Sequence, residues 1–235
     1  MTTQQERWTI IFLYCLFLSA QGFAQIPEAN PYHLPIITTL SDYKKSCEQD
    51  SNNILVDLKD YIPGIRLDIR YATFENFTGS IIYPEAKAFA RLPVAKALRM
   101  IQQELSKRGN GLKIFDAYRP YSATLKFWDI VQDTLFVAAP WKGSRHNRGC
   151  AIDVSLIDLT TGEELAMPTP YDDFTPNASP NYQDLPGEIQ ENRDFLIHLM
   201  SKYGFSVLES EWWHFDFKGW DRFELMDIPF GELGK

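Results

Sequence analysis

Two short stretches of the 235-residue chain carry side chains able to do chemistry together. The first is Ser144-Arg145-His146-Asn147-Arg148-Gly149-Cys150-Ala151-Ile152-Asp153, and the second is Glu211-Trp212-Trp213-His214-Phe215-Asp216-Phe217. Two imidazoles and a carboxylate form a catalytic zinc set that leaves a fourth tetrahedral position for water. A further carboxylate that does not touch the metal can take a proton from that water and pass it to a leaving amine. His146, Asp153 and His214 supply the first set, and Glu211 supplies the base. Spacing alone leaves open the plainer alternative of polar residues on a half-exposed sheet, because both Glu-x-x-His and His-x6-Asp arise often by chance.

The remaining histidines invite other readings. His33 lies among Pro27, Pro31 and Pro35, where a solvated side chain is expected, and His198 falls on a helix beside the apolar Leu196, Leu199, Met200 and Tyr203.

The strands that must present these groups show in the alternation of residues. Ala151, Asp153 and Ser155 share one face of a strand over Ala151–Ile157, with Ile152, Val154 and Leu156 on the other. Gly149 permits the sharp turn that brings His146 back over the Asp153 face. Cys150 then points to the apolar side, as a buried thiol rather than a ligand. Along Trp213–Phe217 the aromatics alternate with His214 and Asp216. Glu211 shares a site with His214 only from a turn or bulge leading into that strand.

Further strands are expected over Ile54–Leu58, Ile65–Tyr71, Leu112–Phe115 and Phe205–Leu208. Helices are expected over Val94–Lys107, Ser122–Gln132 and Glu188–Tyr203, the first stopped by Gly109 and the last by Gly204. This mixed order, without regular strand–helix alternation, implies one compact α+β domain.

Composition excludes some classes of partner. Thirty-one acidic residues face 23 basic ones, for a net charge of −8, and no basic run stands out, so nucleic-acid binding is not expected. Residues 1–24 have a weakly positive start, a short apolar run and small residues at Gly22 and Ala24. They read as a signal peptide, with a periplasmic or secreted product and no stable membrane span once it is cleaved. Residues 25–52 read as a leader and 53–235 as the functional domain. Cys47 and Cys150 remain after cleavage and are expected as separate thiols.

The full strings add a resemblance. Ser144-x-His146-x-x-Gly149-x-Ala151-x-Asp153, followed by Glu211-x-Trp213-His214, resembles the D-alanyl-D-alanine dipeptidases. These are zinc peptidases related to the D,D-carboxypeptidases of Hedgehog-like fold. Tyr71–Gly79 and Asp116-Ala117-Tyr118-Arg119-Pro120 resemble further segments of that family. The resemblance spans about Ile54 to Phe230.

It implies a mainly antiparallel sheet bearing the metal site, with packed helices. It also implies one zinc per chain on His146, Asp153 and His214, with Glu211 as base and Arg119 stabilising the tetrahedral intermediate. Tyr71, Asp172 and Ser144 would contact a small D,D-dipeptide substrate, with Tyr71 and Asp172 on its ammonium. The expected activity is hydrolysis of D-Ala-D-Ala, linked to peptidoglycan turnover or dipeptide salvage. The rivals are a D,D-carboxypeptidase or endopeptidase acting on stem peptides, and a non-catalytic wall-binding module that keeps zinc for structure.

Overall fold

The computed structural model describes residues 30–233, so the expected signal peptide lies outside the described residues. In chain order these form β1 (Ile36–Ile37), α1 (Leu40–Gln49), β2 (Leu55–Asp57), α2 (Leu58–Tyr61), β3 (Arg66–Leu67), β4 (Phe89–Arg91), α3 (Leu92–Ser106), β5 (Asn110–Asp116), α4 (Tyr121–Ile130), β6 (Ala151–Asp158), α5 (Gly187–Lys202), β7 (Phe205–Leu208), β8 (Glu211–Phe217) and β9 (Leu225–Met226).

A five-stranded sheet in the order β3-β5-β6-β8-β7 carries the domain. Only the edge pair β3–β5 is parallel; the other pairs are antiparallel, as expected for this α+β fold. The central strand β6 is buried along nearly its whole length. Its Ile152, Val154 and Leu156 join the apolar core, as does Cys150 just before it. Ala151, Asp153 and Ser155 are covered as well, so both faces of the strand are dry.

Two helices pack against the sheet, α3 on β5 and α5 on β6, β7 and β8. They lie side by side, since Lys202 Nζ reaches Glu104 Oε2 at 2.7 Å. In α3, Pro93 opens the helix without losing a needed N–H. Val94, Ala95, Leu98, Ile101 and Leu105 then recur at helical spacing and are fully buried. Burying each of the larger side chains contributes roughly 1.5–3 kcal/mol. Gly109, at φ +76°, releases the chain into β5.

Two expectations change. The predicted strand Ile65–Tyr71 pairs only at Arg66–Leu67, with one more bond from the Asp68 N–H to the Ile114 carbonyl at 2.8 Å. Arg70 then grips Asp68 through two bonds of 2.9 and 3.0 Å, and a 3₁₀ turn over Arg70–Ala72 buries Tyr71 instead of continuing the edge. The described part of the presumed leader is folded. β1 pairs with β9 in parallel, and α1 is capped by Thr39, whose Oγ1 accepts from the Asp42 N–H. Tyr43 of α1 is buried and its hydroxyl accepts the Leu55 N–H at 2.7 Å. Polar Ser46–Asn53 hid this, because α1 buries only Tyr43 and Ser46.

Cys47 and Cys150 are both free thiols. No helix among the described residues is long and apolar enough to cross a membrane.

Tyr43→Phe leaves the Leu55 N–H unpaired in a buried setting, so stability should fall by about 1–3 kcal/mol in urea unfolding. A change under a few tenths would mean that the Tyr43–Leu55 hydrogen bond adds nothing to the fold.

Candidate metal centre and its cleft

The sheet places three residues in one cross-strand row. A bulge at Phe115 shifts β5, so that Asp116 lies opposite Asp153, and Asp153 lies opposite His214. Side chains facing each other across neighbouring strands stand about 4.5–5.5 Å apart at Cβ, so the row clusters without loops.

His146 joins from outside the sheet. It opens a 3₁₀ turn over His146–Arg148 that ends at Gly149, φ +68° and ψ 27°. A side chain there would be strained, and a Cβ would come within 2.7 Å of Leu55 Cδ2, so the left-handed backbone favours glycine and a larger residue would also displace Leu55. The turn is stapled to the Arg119 segment. Asn147 Nδ2 donates to the Arg119 carbonyl at 2.9 Å, and the Arg119 N–H returns a bond to the His146 carbonyl at 3.1 Å.

Hydrogen bonds on the far side of each ring fix its tautomer. His146 Nδ1 lies 2.7 Å from the Ala117 carbonyl, which only accepts, so Nδ1 holds the proton and Nε2 a free electron pair. His214 Nε2 lies 3.0 Å from Asp216 Oδ1, leaving Nδ1 with the free pair. These two bare nitrogens face each other at 3.2 Å. Asp153 Oδ1 completes the triangle, 3.0 Å from His214 Nδ1 and 3.4 Å from His146 Nε2. It is buried and no well-directed hydrogen bond reaches it, while Oδ2 takes the Tyr171 hydroxyl at 3.0 Å.

Three electron pairs converging in a dry site fit a cation. Ligands at zinc bond lengths of about 2.0–2.1 Å in a tetrahedron stand about 3.3 Å apart, the spacing of these three atoms. Electrostatics agrees. Burial pushes the Asp153 carboxyl up, but His146 and His214 outweigh it and hold it well below the usual carboxylate range. Burial pushes His214 down, yet Asp153 and Asp216 prevail and raise it to about 10, so without a metal a proton on Nδ1 takes the cation's place. The site demands positive charge.

Glu211 is brought in by an irregularity in the β7–β8 pairing, where Val207 opposes Phe215 but Leu208 opposes Glu211. This is the expected bulge, and it also buries Trp212 beside Trp213. Glu211 Oε2 lies 3.8 Å from His214 Nδ1 with its side chain 15% exposed. Burial raises its carboxyl to about 7.

Arg119 donates through Nε and Nη2 to Asp116 Oδ2 at 3.0 and 2.8 Å and lies over the Phe127 ring at 4.7 Å. Burial works against its charge, but Asp116 holds its pKa well above the ordinary value. The Tyr71 hydroxyl donates to Asp172 Oδ1 at 3.1 Å. Asp172 sits at a left-handed φ of 61°, and its Oδ2 is covered with no hydrogen-bond partner. Burial, then the Asp153 charge, raises the Asp172 carboxyl well above its usual range.

One cleft of about 190 Å³ collects Tyr71, Arg119, His146, Asp153, Asp172, Glu211 and His214. Phe77, Phe136 and Phe174 also line it, with Phe174 packed against each of the others at ring distances of 5.2 and 4.8 Å. Ser144 is the exception among the expected site residues. It does not line the cleft, and its Oγ accepts the His146 N–H at 3.2 Å, so it shapes the turn that carries His146. His198 is exposed on α5, away from this cluster.

Sequence reading missed Tyr171 and the roles of Asp216 and Ala117. Tyr171 stacks on Phe115 at 4.5 Å while holding Asp153. Nothing in its proline-rich surroundings signals that. Asp216 was legible as a neighbour of His214 on one strand face, but its bond to the ring was not.

Residues 51–225 match the peptidase M15 family described as D-ala-D-ala dipeptidase. The chain belongs to that family. Its members are zinc metallopeptidases, so the chain is a hydrolase. Among curated relatives, the D-alanyl-D-alanine dipeptidase of Escherichia coli is 34% identical over 162 residues, covering 69% of this chain and 83% of the relative. Those of Streptomyces coelicolor and Enterococcus faecalis are 31% and 29% identical, covering 68% and 74% of this chain and 89% and 92% of the relatives. A solved LD-carboxypeptidase, LdcB, overlaps with a TM-score of 0.41 at 20% identity, covering 71% of this chain and 70% of its own.

For this dipeptidase-family chain, Asp216→Ala should weaken zinc binding about 10–100-fold, the usual cost of losing a group that orients a metal-bound histidine. Competition with a chromogenic chelator measures it. Unchanged affinity would mean that the His214 ring is held by the sheet alone.

Proposed function

We propose that this chain hydrolyses the D-Ala-D-Ala dipeptide, with one zinc held by His146, Asp153 and His214. The carrying observation is the triangle of electron pairs beside Glu211, in a small cleft with a covered, unpaired carboxylate oxygen on Asp172. The family relationship supports the same substrate.

When bound, zinc supplies a Lewis acid that makes water a nucleophile near neutral pH. Every other role falls to the chain. Glu211 accepts the water's proton as the water oxygen bonds to the carbonyl carbon, and returns it to the leaving amine as the C–N bond breaks; a carboxyl poised near 7 suits both directions. Arg119, fixed by Asp116, presents its guanidinium to the carbonyl oxygen as negative charge develops there. A catalytically silent module would need neither group. Asp172 and Tyr71 receive the substrate's ammonium, which supplies the donor that Asp172 Oδ2 lacks. Phe77, Phe136 and Phe174 line the same small cleft and would limit the room for a longer stem peptide. The signal-like residues 1–24 support a role outside the inner membrane, in wall turnover or dipeptide salvage.

Glu211→Gln should keep zinc and lose about 10²–10⁴-fold in kcat. The wild type should gain kcat/KM with rising pH as Glu211 ionises. Its acidic limb should lie at or below about 7, because a bound cation draws the carboxyl down from that value. A rate that is flat from pH 5 to 8 would remove Glu211 from the base role.

D-Ala-D-Ala should be hydrolysed far faster than its N-acetyl form or a wall pentapeptide, and a chelator should stop turnover. Acetylation faces Asp172 with a neutral group, a loss of roughly 3–5 kcal/mol. Comparable rates on dipeptide and pentapeptide would assign the chain to the D,D-carboxypeptidases, with the zinc assignment intact.

A further inference from the structure

A free dipeptide carries charge at both ends, and Asp172 with Tyr71 accounts for only one. The other end is a carboxylate and calls for a cation. Two arginines line the cleft among the described residues, Arg119 and Arg145. Arg119 is committed to Asp116 and to the reacting carbonyl. Arg145 stands one residue before His146, and no step proposed above uses it.

Its surroundings hold it in place without consuming it. Nη1 lies 3.1 Å from Asp216 Oδ2, and the guanidinium stacks over the Trp220 ring at 4.7 Å. Nε is buried with no hydrogen-bond partner, yet the side chain as a whole keeps 40% exposure. A guanidinium has five N–H donors in a planar fork, and the ion pair with Asp216 engages one corner of it. A fork pinned on one edge by an ion pair and on one face by a ring is preorganised for a second, bidentate carboxylate.

Its position along β8 fits. Glu211 and Asp216 lie on opposite sides of His214 on that strand, and Arg145 attaches at the Asp216 end. Asp172 attaches elsewhere, following Tyr171, which holds Asp153 Oδ2. Asp172 is close enough to Asp153 and Glu211 to feel their charges, whereas Arg145 pairs with Asp216, so the acidic and basic groups associate with different sides of His214, as the two ends of a dipeptide flank its peptide carbonyl.

We propose that Arg145 binds the C-terminal carboxylate of the dipeptide substrate. This rests on the dipeptidase reading and adds the second charged end that defines a two-residue substrate. Since Asp216 also holds His214, Arg145 could instead act only by positioning that ligand, and the experiment separates the two.

The kinetics of zinc-loaded enzyme on D-Ala-D-Ala and on its C-terminal amide are compared for wild type, Arg145→Met and Arg145→Lys, with zinc content measured in each. Wild type should prefer the free acid by roughly 10–100-fold, the value of a charge-assisted hydrogen bond. Arg145→Met should lose about that factor on the acid, mainly through KM, with a much smaller loss on the amide. Arg145→Lys should recover part of the preference, with zinc content unchanged throughout. Equal losses on acid and amide, or falling zinc content, would overturn the proposal and make Arg145 a positioning residue for His214. Wild type without preference for the acid would overturn it with no variant needed. Zinc-loaded wild type that cleaves neither compound would overturn the dipeptidase reading itself, and this proposal with it.

Discussion

Three electron pairs, on His146 Nε2, His214 Nδ1 and Asp153 Oδ1, point at one another across 3.0–3.4 Å in a site nearly closed to water. That arrangement is repulsive unless a positive charge, a proton or a metal ion, sits among them. The fold supplies the constraint that keeps the groups together. Asp153 and His214 are locked by the register of β6 and β8, and His146 by a turn whose left-handed φ favours glycine at 149. The Ala117 carbonyl and Asp216 then hold the rings so that neither can turn its proton inward. A cation resolves the conflict, and the remainder of the cleft is built around its charge.

Buried charge is tolerable only when paired. Arg119 is matched by Asp116, which also takes the Tyr83 hydroxyl at 3.0 Å, and Arg145 is matched by Asp216. Two carboxyls are left with raised pKa values, Glu211 and Asp172. Those are the groups for which we propose a proton transfer and the reception of a substrate's charge. The membership of the chain in the dipeptidase family and this distribution of charge point to the same chemistry by independent routes.

The site was more legible than its scaffold. The alternation in Ala151–Ile157 placed Asp153 opposite the core, Gly149 marked the return of His146, and the need to bring Glu211 beside His214 demanded a bulge that is present. These are local constraints, readable over a few residues. What escaped reading is long-range. Tyr171 reaches Asp153 and stacks on Phe115 only through tertiary packing. The Ile65–Tyr71 alternation promised a longer strand, but the Arg70–Asp68 pair and the burial of Tyr71 outcompete edge pairing. Ser144 belongs to the motif but serves the turn rather than the cleft. The 25–52 segment read as a leader because the described part of it is tied down by scattered contacts, the buried Tyr43, a two-residue strand and the half-buried Ile37 and Leu40, rather than by a periodic apolar face.

The central claim is that these three donors, and no thiol, surround a metal. X-ray absorption at the zinc edge of the zinc-loaded protein tests it most directly. Two imidazole nitrogens and oxygen ligands at about 2.0–2.2 Å, with no sulfur, are expected. A sulfur scatterer near 2.3 Å, or a shell without imidazole, would contradict it.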